Sequence, residues 1–594
     1  MSAYSKKRSD EFLKVAGQYK LGALVTESTH PVTANLSDAA RQDTAAGLKL
    51  LFDVDGDVIR KFHEFVETSQ MEKIADAILD AIRQGGRIFF TGCGATGRLS
   101  ILLDSVWRDF WQQQGNPDLE DRTFSVMSGG DFALIKSVEG FEDFAAFGKK
   151  QVNDLGVSRR DVVFAITEGG ETSFVIGTAW AGVEAGAKVY FIYNNPDELL
   201  CEHVERSREV IQNSRIEKIN LTTGPMAIAG STRMQATTIQ LCVMLTILEM
   251  VVRKLMGREG DVVPQEFLKA LKEAHAGLKS AKTLAQLAKI VELEEAVYRR
   301  GGRNNYFASR FGIDVLTDTT ERSPTFCTPP FRKFDDTAAA ESWAFLFLPE
   351  NKTPEAWRHI LKRSPRCLEG TENEIRQLVT EENLPRTVET LRKISREELM
   401  RFRIGLDGLP GRAMKDGDCA VAVLSDAEEI LLSRNGAFWI QLHAAREKGA
   451  NAAVICFCHH GRQPLAADAG EIVRATVSVP PTDLLLDGVT RVVVKLVMNS
   501  ISTCTMVRLG RVMGNMMVYV VPSNLKLIDR ATRYIGYLTG LPYERANELL
   551  FEVIEYVEPR MKSDRAYPPV VGMAVVRTRE NCTNETAETF LQSH

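Results

Sequence analysis

The chain has no block of basic residues, no apolar stretch free of polar groups that is long enough to cross a membrane, and no paired set of cysteines. Each absence removes a class of function. With a net charge of −5 and a pI near 6.1, nucleic acid and anionic membrane surfaces are excluded as main partners. The most apolar stretches, around 237–252 and 490–507, carry polar residues and read as buried core helices rather than spans. The ten cysteines are scattered, and Cys93, Cys242 and Cys456 sit inside apolar runs, as expected of reduced thiols in the cytoplasm. The first residues, Met1-Ser-Ala-Tyr-Ser-Lys-Lys-Arg-Ser-Asp10, lack the apolar segment of a signal peptide, so a cytoplasmic protein is expected. The Asn-x-Thr triplets at Asn581 and Asn584 are then accidental. What remains is an ordinary globular composition, 44% hydrophobic and 25% charged, over 594 residues. That length favours several domains.

What is present is an alternation of short apolar runs and amphipathic stretches. Strands are predicted near 87–93, 123–128, 161–167, 188–193 and 217–222, with helices between them. That pattern specifies a doubly wound parallel sheet, which binds ligands at the carboxyl ends of its strands. Three loops rich in glycine and hydroxyls fall there: Thr91-Gly-Cys-Gly-Ala-Thr-Gly-Arg98, Thr167-Glu-Gly-Gly-Glu-Thr172 and Gly230-Ser-Thr-Arg-Met234. Backbone N–H groups, hydroxyls and helix N-termini gathered at one edge make a site for an anion, most simply a phosphate.

The alternation then restarts. A helix near 282–299 leads to strands near 304–308, 343–348, 419–424, 452–457 and 475–479 and a long helix at 487–508. The expected organisation is an irregular N-terminal arm (1–50), a first α/β domain (51–258) and a second (259–510) with a charged insertion at 366–418. A helical lid (511–562) and a tail (563–594) follow, the tail holding a strand-like Val570–Val576 run before a polar, disordered end.

Five segments in this order resemble the sugar-isomerase (SIS) superfamily, in the branch uniting N-acetylmuramic acid 6-phosphate etherase with glucokinase regulatory protein. They are Glu27-Ser-Thr-His-Pro-Val-Thr33, Gly92–Leu99, Val138-Glu-Gly-Phe-Glu-Asp143, Gly224-Pro225 with Gly230–Met234, and Gly514-Asn-Met-Met-Val518 with Ser523-Asn-Leu-Lys-Leu527. The resemblance implies two tandem SIS domains and a phosphorylated sugar as ligand, with no cofactor. A pseudo-dimer within one chain follows from it, with a homodimer and a sugar-kinase partner as further options.

By the same resemblance Gly312–Phe326 is similar to the etherase segment that carries one catalytic glutamate, which falls on Glu321; the matching position of the first half is Val106. Glu142 matches the second etherase glutamate. The second-half loops have lost their glycines and hydroxyls: Phe307-Ala-Ser-Arg-Phe311 replaces one, and Leu424-Ser-Asp-Ala-Glu-Glu429 puts carboxylates in another. One composite site is therefore expected. Gly94, Ala95, Thr96, Gly169, Gly170, Thr172, Ser231 and Thr232 would line it, and Glu142 and Glu321 would transfer protons without assigned roles. Lys526 aligns with a lid lysine that reaches the sugar phosphate. Arg233 either clamps the anion or makes a salt bridge behind the loop.

The departures from the family concern the ligand more than the fold. Gly169 stands where relatives usually have serine, Ala95-Thr96 where they have Thr-Ser, and Gln235 where lysine is frequent. Glu168 and Glu171 flank the second loop, where a carboxylate repels phosphate unless a cation pairs with it. They point away, bind sugar hydroxyls, or signal a different ligand. Two rival patterns are weaker. Gly92-x-Gly94-x-x-Gly97 has dinucleotide-loop spacing but no acidic residue at the end of the next strand. Cys456-Phe-Cys-His-His460 lacks a second ligand pair to complete a metal site. Lys526→Ala should weaken binding of a phosphorylated ligand by about 1–3 kcal/mol, the scale of a charged hydrogen bond; unchanged affinity in calorimetry would remove Lys526 from the site.

Overall fold

The computed structural model describes residues 2–16, 21–136, 138, 141–459, 472–522, 525–560 and 568–593. Five parallel strands form the first sheet: β1 (Ile88–Gly92), β2 (Thr123–Met127), β3 (Val162–Ile166), β4 (Lys188–Tyr193) and β5 (Ile216–Asn220), in the order β2-β1-β3-β4-β5. Every residue of β1 and β3 is buried, as strands covered by helices on both faces must be. The second sheet holds β6 (Asn304–Ala308), β7 (Ala344–Phe347), β8 (Cys419–Ser425), β9 (Asn451–His459) and β10 (Val473–Val479). Its order, β7-β6-β8-β9-β10, repeats the permutation of the first, and all its strands are parallel. The chain is thus α/β, with two tandem doubly wound sheets.

The helix Thr44–Val66 packs against Gln235–Leu255 of the first half and Gly488–Arg508 of the second, and those two also pack on each other. Gln235–Leu255 is long and apolar enough to span a membrane, yet it is buried inside the protein from Gln235 to Arg253. Between β7 and β8 the charged segment folds into short helices, Glu372–Arg376, Leu384–Arg392 and Arg396–Met400. After a two-stranded hairpin at Val512–Met513 and Met516–Met517 come the helices Leu525–Thr539 and Tyr543–Val557.

Both chain ends correct the reading from sequence. The N-terminal arm is not irregular: Ala3–Val15, Leu36–Gln42 and the start of Thr44–Val66 are helical. Ser2 accepts the N–H of Ser5 at 3.0 Å as an N-cap, and Phe12 is buried 6.3 Å from the Phe551 ring. The Val570 run is a helix, Val570–Arg579, whose valines are buried against the two preceding helices. Tertiary packing there overrides β-branched propensity. Among the described residues the polar tail also ends in a helix, Asn584–Ser593.

Buried charge joins the halves. Arg363 of the second half donates to Asp104 (3.0 Å) and to both oxygens of Asp131 (2.6 and 3.1 Å) in the first. Asp104 is held down to about 2: desolvation pushes its carboxyl up, and Arg363 and Arg108 overcome it. Arg363→Ala should cost about 3 kcal/mol, because it strands buried carboxylates. An unchanged urea midpoint would show that the halves do not depend on this network.

Candidate functional site

A cavity of about 520 Å³ opens at the carboxyl ends of β1 and β3, between the halves and under the C-terminal helix pair. Gly94, Ala95, Gly169, Thr172, Ser231 and Thr232 line it from the three hydroxyl-rich loops. Glu142 and Arg233 enter from the first half, Glu321 from the second and Lys526 from the C-terminal helix. The spaced segments converge for a local reason. The turn before Ser231 is laced on three sides: Thr33 Oγ1 donates to Ala227 O at 2.7 Å, Ala229 N–H to Asn515 O at 3.0 Å, and Tyr534 Oη to Ala229 O at 2.5 Å. Gly230, at φ +68°, allows this approach, since a Cβ there would lie 2.8 Å from Tyr534 Oη and 2.9 Å from Arg530 Nε.

Two expected lining residues are structural instead. Thr96 is fully buried and its hydroxyl is spent on Cys93, accepting from its N–H at 3.1 Å and donating to its O at 2.9 Å. Gly170 donates to Thr167 Oγ1 at 3.2 Å and turns its α-carbon toward Leu200 and Tyr193, away from the cavity. Arg233 lines the cavity, but its guanidinium is engaged in the second half, with Asp318 at 3.3 Å and Thr503 at 2.8 Å. Of the segment 138–143, Glu139 and Gly140 lie outside the described residues, as do Ser523, Asn524 and His460. Cys456 Sγ faces Cys458 Sγ at 3.3 Å within β9, and His459 bonds Asp426 and Thr490. No group of three or more metal-ligating side chains gathers among the described residues.

Three carboxyls in the cavity are raised. Glu321, on the helix Gly312–Phe326, is 4% exposed, and its Oε1 has no hydrogen-bond partner. Desolvation lifts its pKa, against the charges of Arg98, Arg233 and Lys495. Glu142 lies at the rim, 3.5 Å from Cys93 Sγ; desolvation raises it too, against Lys526. Glu168 is pushed up to about 7, by desolvation first and by the charge of Glu321 as well. Beside them Arg98 is buried, held through Nε by Leu134 O and Thr320 Oγ1 at 3.3 Å each, with its Nη2 unpartnered. In sequence Arg98 closes a glycine loop and reads as a helix residue; its one signal is a charge directly before the mostly apolar run Leu99-Ser-Ile-Leu-Leu103.

Glu171 does face the site, and it is neutralised. Lys526 Nζ donates to Oε1 at 2.5 Å and Arg206 Nη2 to Oε2 at 3.0 Å. In the second half, the N–H groups of Arg310 and Ser425 both donate to Glu428, at 2.9 Å each. A carboxylate thus occupies the loop ends of β6 and β8.

The chain is similar to known proteins. A family model described as the glucokinase regulatory protein N-terminal SIS domain matches residues 70–181. An N-acetylmuramic acid 6-phosphate etherase of Clostridioides difficile (strain 630) is 31% identical over 230 residues, 38% of this chain and 69% of that protein. The chain belongs to the SIS superfamily, in the branch of these two proteins. A second etherase, of Yersinia pestis (strain Pestoides F), is 32% identical to this SIS protein over 222 residues, 37% of the chain and 68% of the relative. Among solved structures, tagatose-6-phosphate ketose/aldose isomerase from Escherichia coli is similar to the SIS chain over 80% of its length and 94% of the isomerase, at a TM-score of 0.43 and 10% identity.

The C-terminal helix pair of this SIS protein is fastened over the cavity by Glu27, which takes Arg530 through both oxygens (2.5 and 3.0 Å) and Arg533 at 3.0 Å. Desolvation pushes the Glu27 carboxyl up, but the two arginines hold it at about 2 against an ordinary 4.5. A depressed carboxyl stabilises the fold above its ordinary pKa, and that stability is lost as pH falls toward the folded value. Hydrogen-exchange protection of Leu525–Thr539 should therefore fall between pH 4.5 and about 2. Glu27→Gln should be poorly protected already at neutral pH; an acid response identical to wild type would assign the effect to other groups.

Proposed function

We propose that the chain binds an amino-sugar 6-phosphate at the three loops of its first half and cleaves an ether on it by elimination, as a carbon–oxygen lyase. The observation that carries this reading is the meeting of Glu142 and Glu321, from opposite halves, in one cavity with both carboxyls raised. A carboxyl raised by burial is a better proton acceptor than an ordinary one, as acid–base catalysis requires. The etherase names of the relatives supply the substrate class.

In this reading the opened sugar presents an aldehyde at C1. One glutamate removes the C2 proton, and the electron pair moves onto the C1 oxygen. The electrons return as the C3–O bond breaks, the other glutamate protonates the departing lactate oxygen, and water then adds to the unsaturated sugar. The enolate oxygen needs a fixed donor in a desolvated place. The buried, unpartnered Nη2 of Arg98 beside Glu321 is suited to that task. The thiols of all ten cysteines suit a cytoplasmic enzyme.

A second reading has specific support in the match to the glucokinase regulatory protein domain and in the tandem layout. In it the site is a sensor that binds a hexose phosphate and controls a sugar kinase without turnover. An aldose–ketose isomerase would need only one of the glutamates.

Lactate release from N-acetylmuramic acid 6-phosphate separates these readings. The lyase should release lactate, and Glu142→Gln and Glu321→Gln should each lower kcat by about a hundredfold or more with the melting temperature unchanged. Full activity in either variant would sink the two-carboxylate mechanism. Stabilisation by a hexose phosphate without lactate would establish the sensor.

A further inference from the structure

The second hydroxyl-rich loop, Thr167–Thr172, already contains an anion. Glu171 folds back over the loop: a Cβ placed on Gly169 would meet its Cγ at 3.3 Å and its Oε1 at 3.4 Å. The side chain that covers this glycine is therefore the carboxylate itself, and it is 7% exposed. Its two oxygens are held by different cations. Oε1 belongs to Lys526 on the C-terminal helix, and Oε2 to Arg206, whose Nε also donates to Glu171 O at 2.5 Å. Desolvation works to raise the Glu171 carboxyl, but Lys526 and Arg206 keep it below its ordinary value, so it stays ionised at neutral pH.

We propose that Glu171 is a built-in stand-in for the ligand's phosphate, which must take Lys526 from it, so that Glu171 sets how tightly a phosphorylated ligand is held. The inference rests on the phosphate reading above. Three features make the exchange workable. A phosphate carries about −1.5 to −2 charges at neutral pH against one for a carboxylate, so it is the stronger partner for Lys526. The displaced carboxylate is not stranded, because Arg206 already holds its other oxygen and no unpaired charge is left in the protein. Lys526 and Arg206 are partly open, with side chains 39% and 46% exposed, so both can follow the change.

The second half shows the end-point of the same design. Glu428 takes the N–H groups of both Arg310 and Ser425, and no lysine or arginine ion pair to it is present among the described residues. A carboxylate bound to backbone has nothing to exchange, whereas one bound through Lys526 does. The exchange also shifts a charge contact on the C-terminal helix, since Lys526 leaves the first domain's glutamate for the ligand while Arg530 and Arg533 remain on Glu27.

The test is calorimetry of wild type, Glu171→Gln and Glu171→Asp with N-acetylglucosamine 6-phosphate and with N-acetylglucosamine. Glu171→Gln removes the competing charge and should tighten the phosphorylated sugar by about tenfold, the scale of one like charge at a half-buried anion site. The unphosphorylated sugar should bind all three proteins equally, and Glu171→Asp should stay within a few-fold of wild type. Equal or weaker binding of the phosphorylated sugar by Glu171→Gln, with wild-type melting behaviour, would overturn the stand-in and leave the phosphate reading intact. If neither wild type nor Glu171→Gln binds the phosphorylated sugar, the phosphate reading itself falls, and the stand-in with it.

Discussion

Asp318 ties three parts of the molecule to one buried carboxylate. It is 2% exposed and accepts Arg322 from its own helix at 2.8 Å, Ser502 at 2.7 Å and Asn499 at 3.1 Å from the helix Gly488–Arg508, and Arg233 from the first half at 3.3 Å. One carboxylate shared this way is costly to bury and costly to leave half-paired. Its neighbours are consequently fixed in direction, and Glu321 lies one helical turn further on the same helix. The position of the Glu321 carboxyl thus follows from contacts made one helical turn earlier, by Asp318.

The division of labour between the halves follows from where charge is satisfied. In the first half the loop hydroxyls of Thr172, Ser231 and Thr232 remain at the cavity. In the second half the equivalent loop ends are closed by Glu428, and Arg310 is tied to Asp487 at 2.7 Å. The cavity lined by hydroxyl-rich loops therefore lies at the first sheet. The helix Gly312–Phe326 is used for the side chain it sends into the other half's site.

Much of the scaffold was legible in the sequence because parallel strands buried on both faces are short apolar runs, and β1 to β10 all fall where those runs are. The ends were not. The valines at 570–576 look like a strand to any propensity argument, and only the packing of two earlier helices makes them a helix. The hydroxyls of the loops were visible as residue types, but their use was not. Thr96 turns inward to cap its own helix, while Thr172 beside a similar glycine stays at the cavity. Charges were the least legible. In sequence Glu171 reads as an obstacle to an anion; the lysine that pairs with it, Lys526, lies 355 positions away. Arg98 closes the first loop motif, but what sets it apart is the partner that its Nη2 lacks.

Because Glu142 and Glu321 belong to one polypeptide, their meeting is a first-order event in the folding of a single molecule. An arrangement across two separate chains would come apart on dilution, and its activity per molecule would fall with the concentration of subunits. Here the effective concentration of one half for the other is set by the chain and by the contacts of Arg363 and Asp318. The meeting of these two carboxylates should be as complete in a single isolated molecule as in a crowded solution.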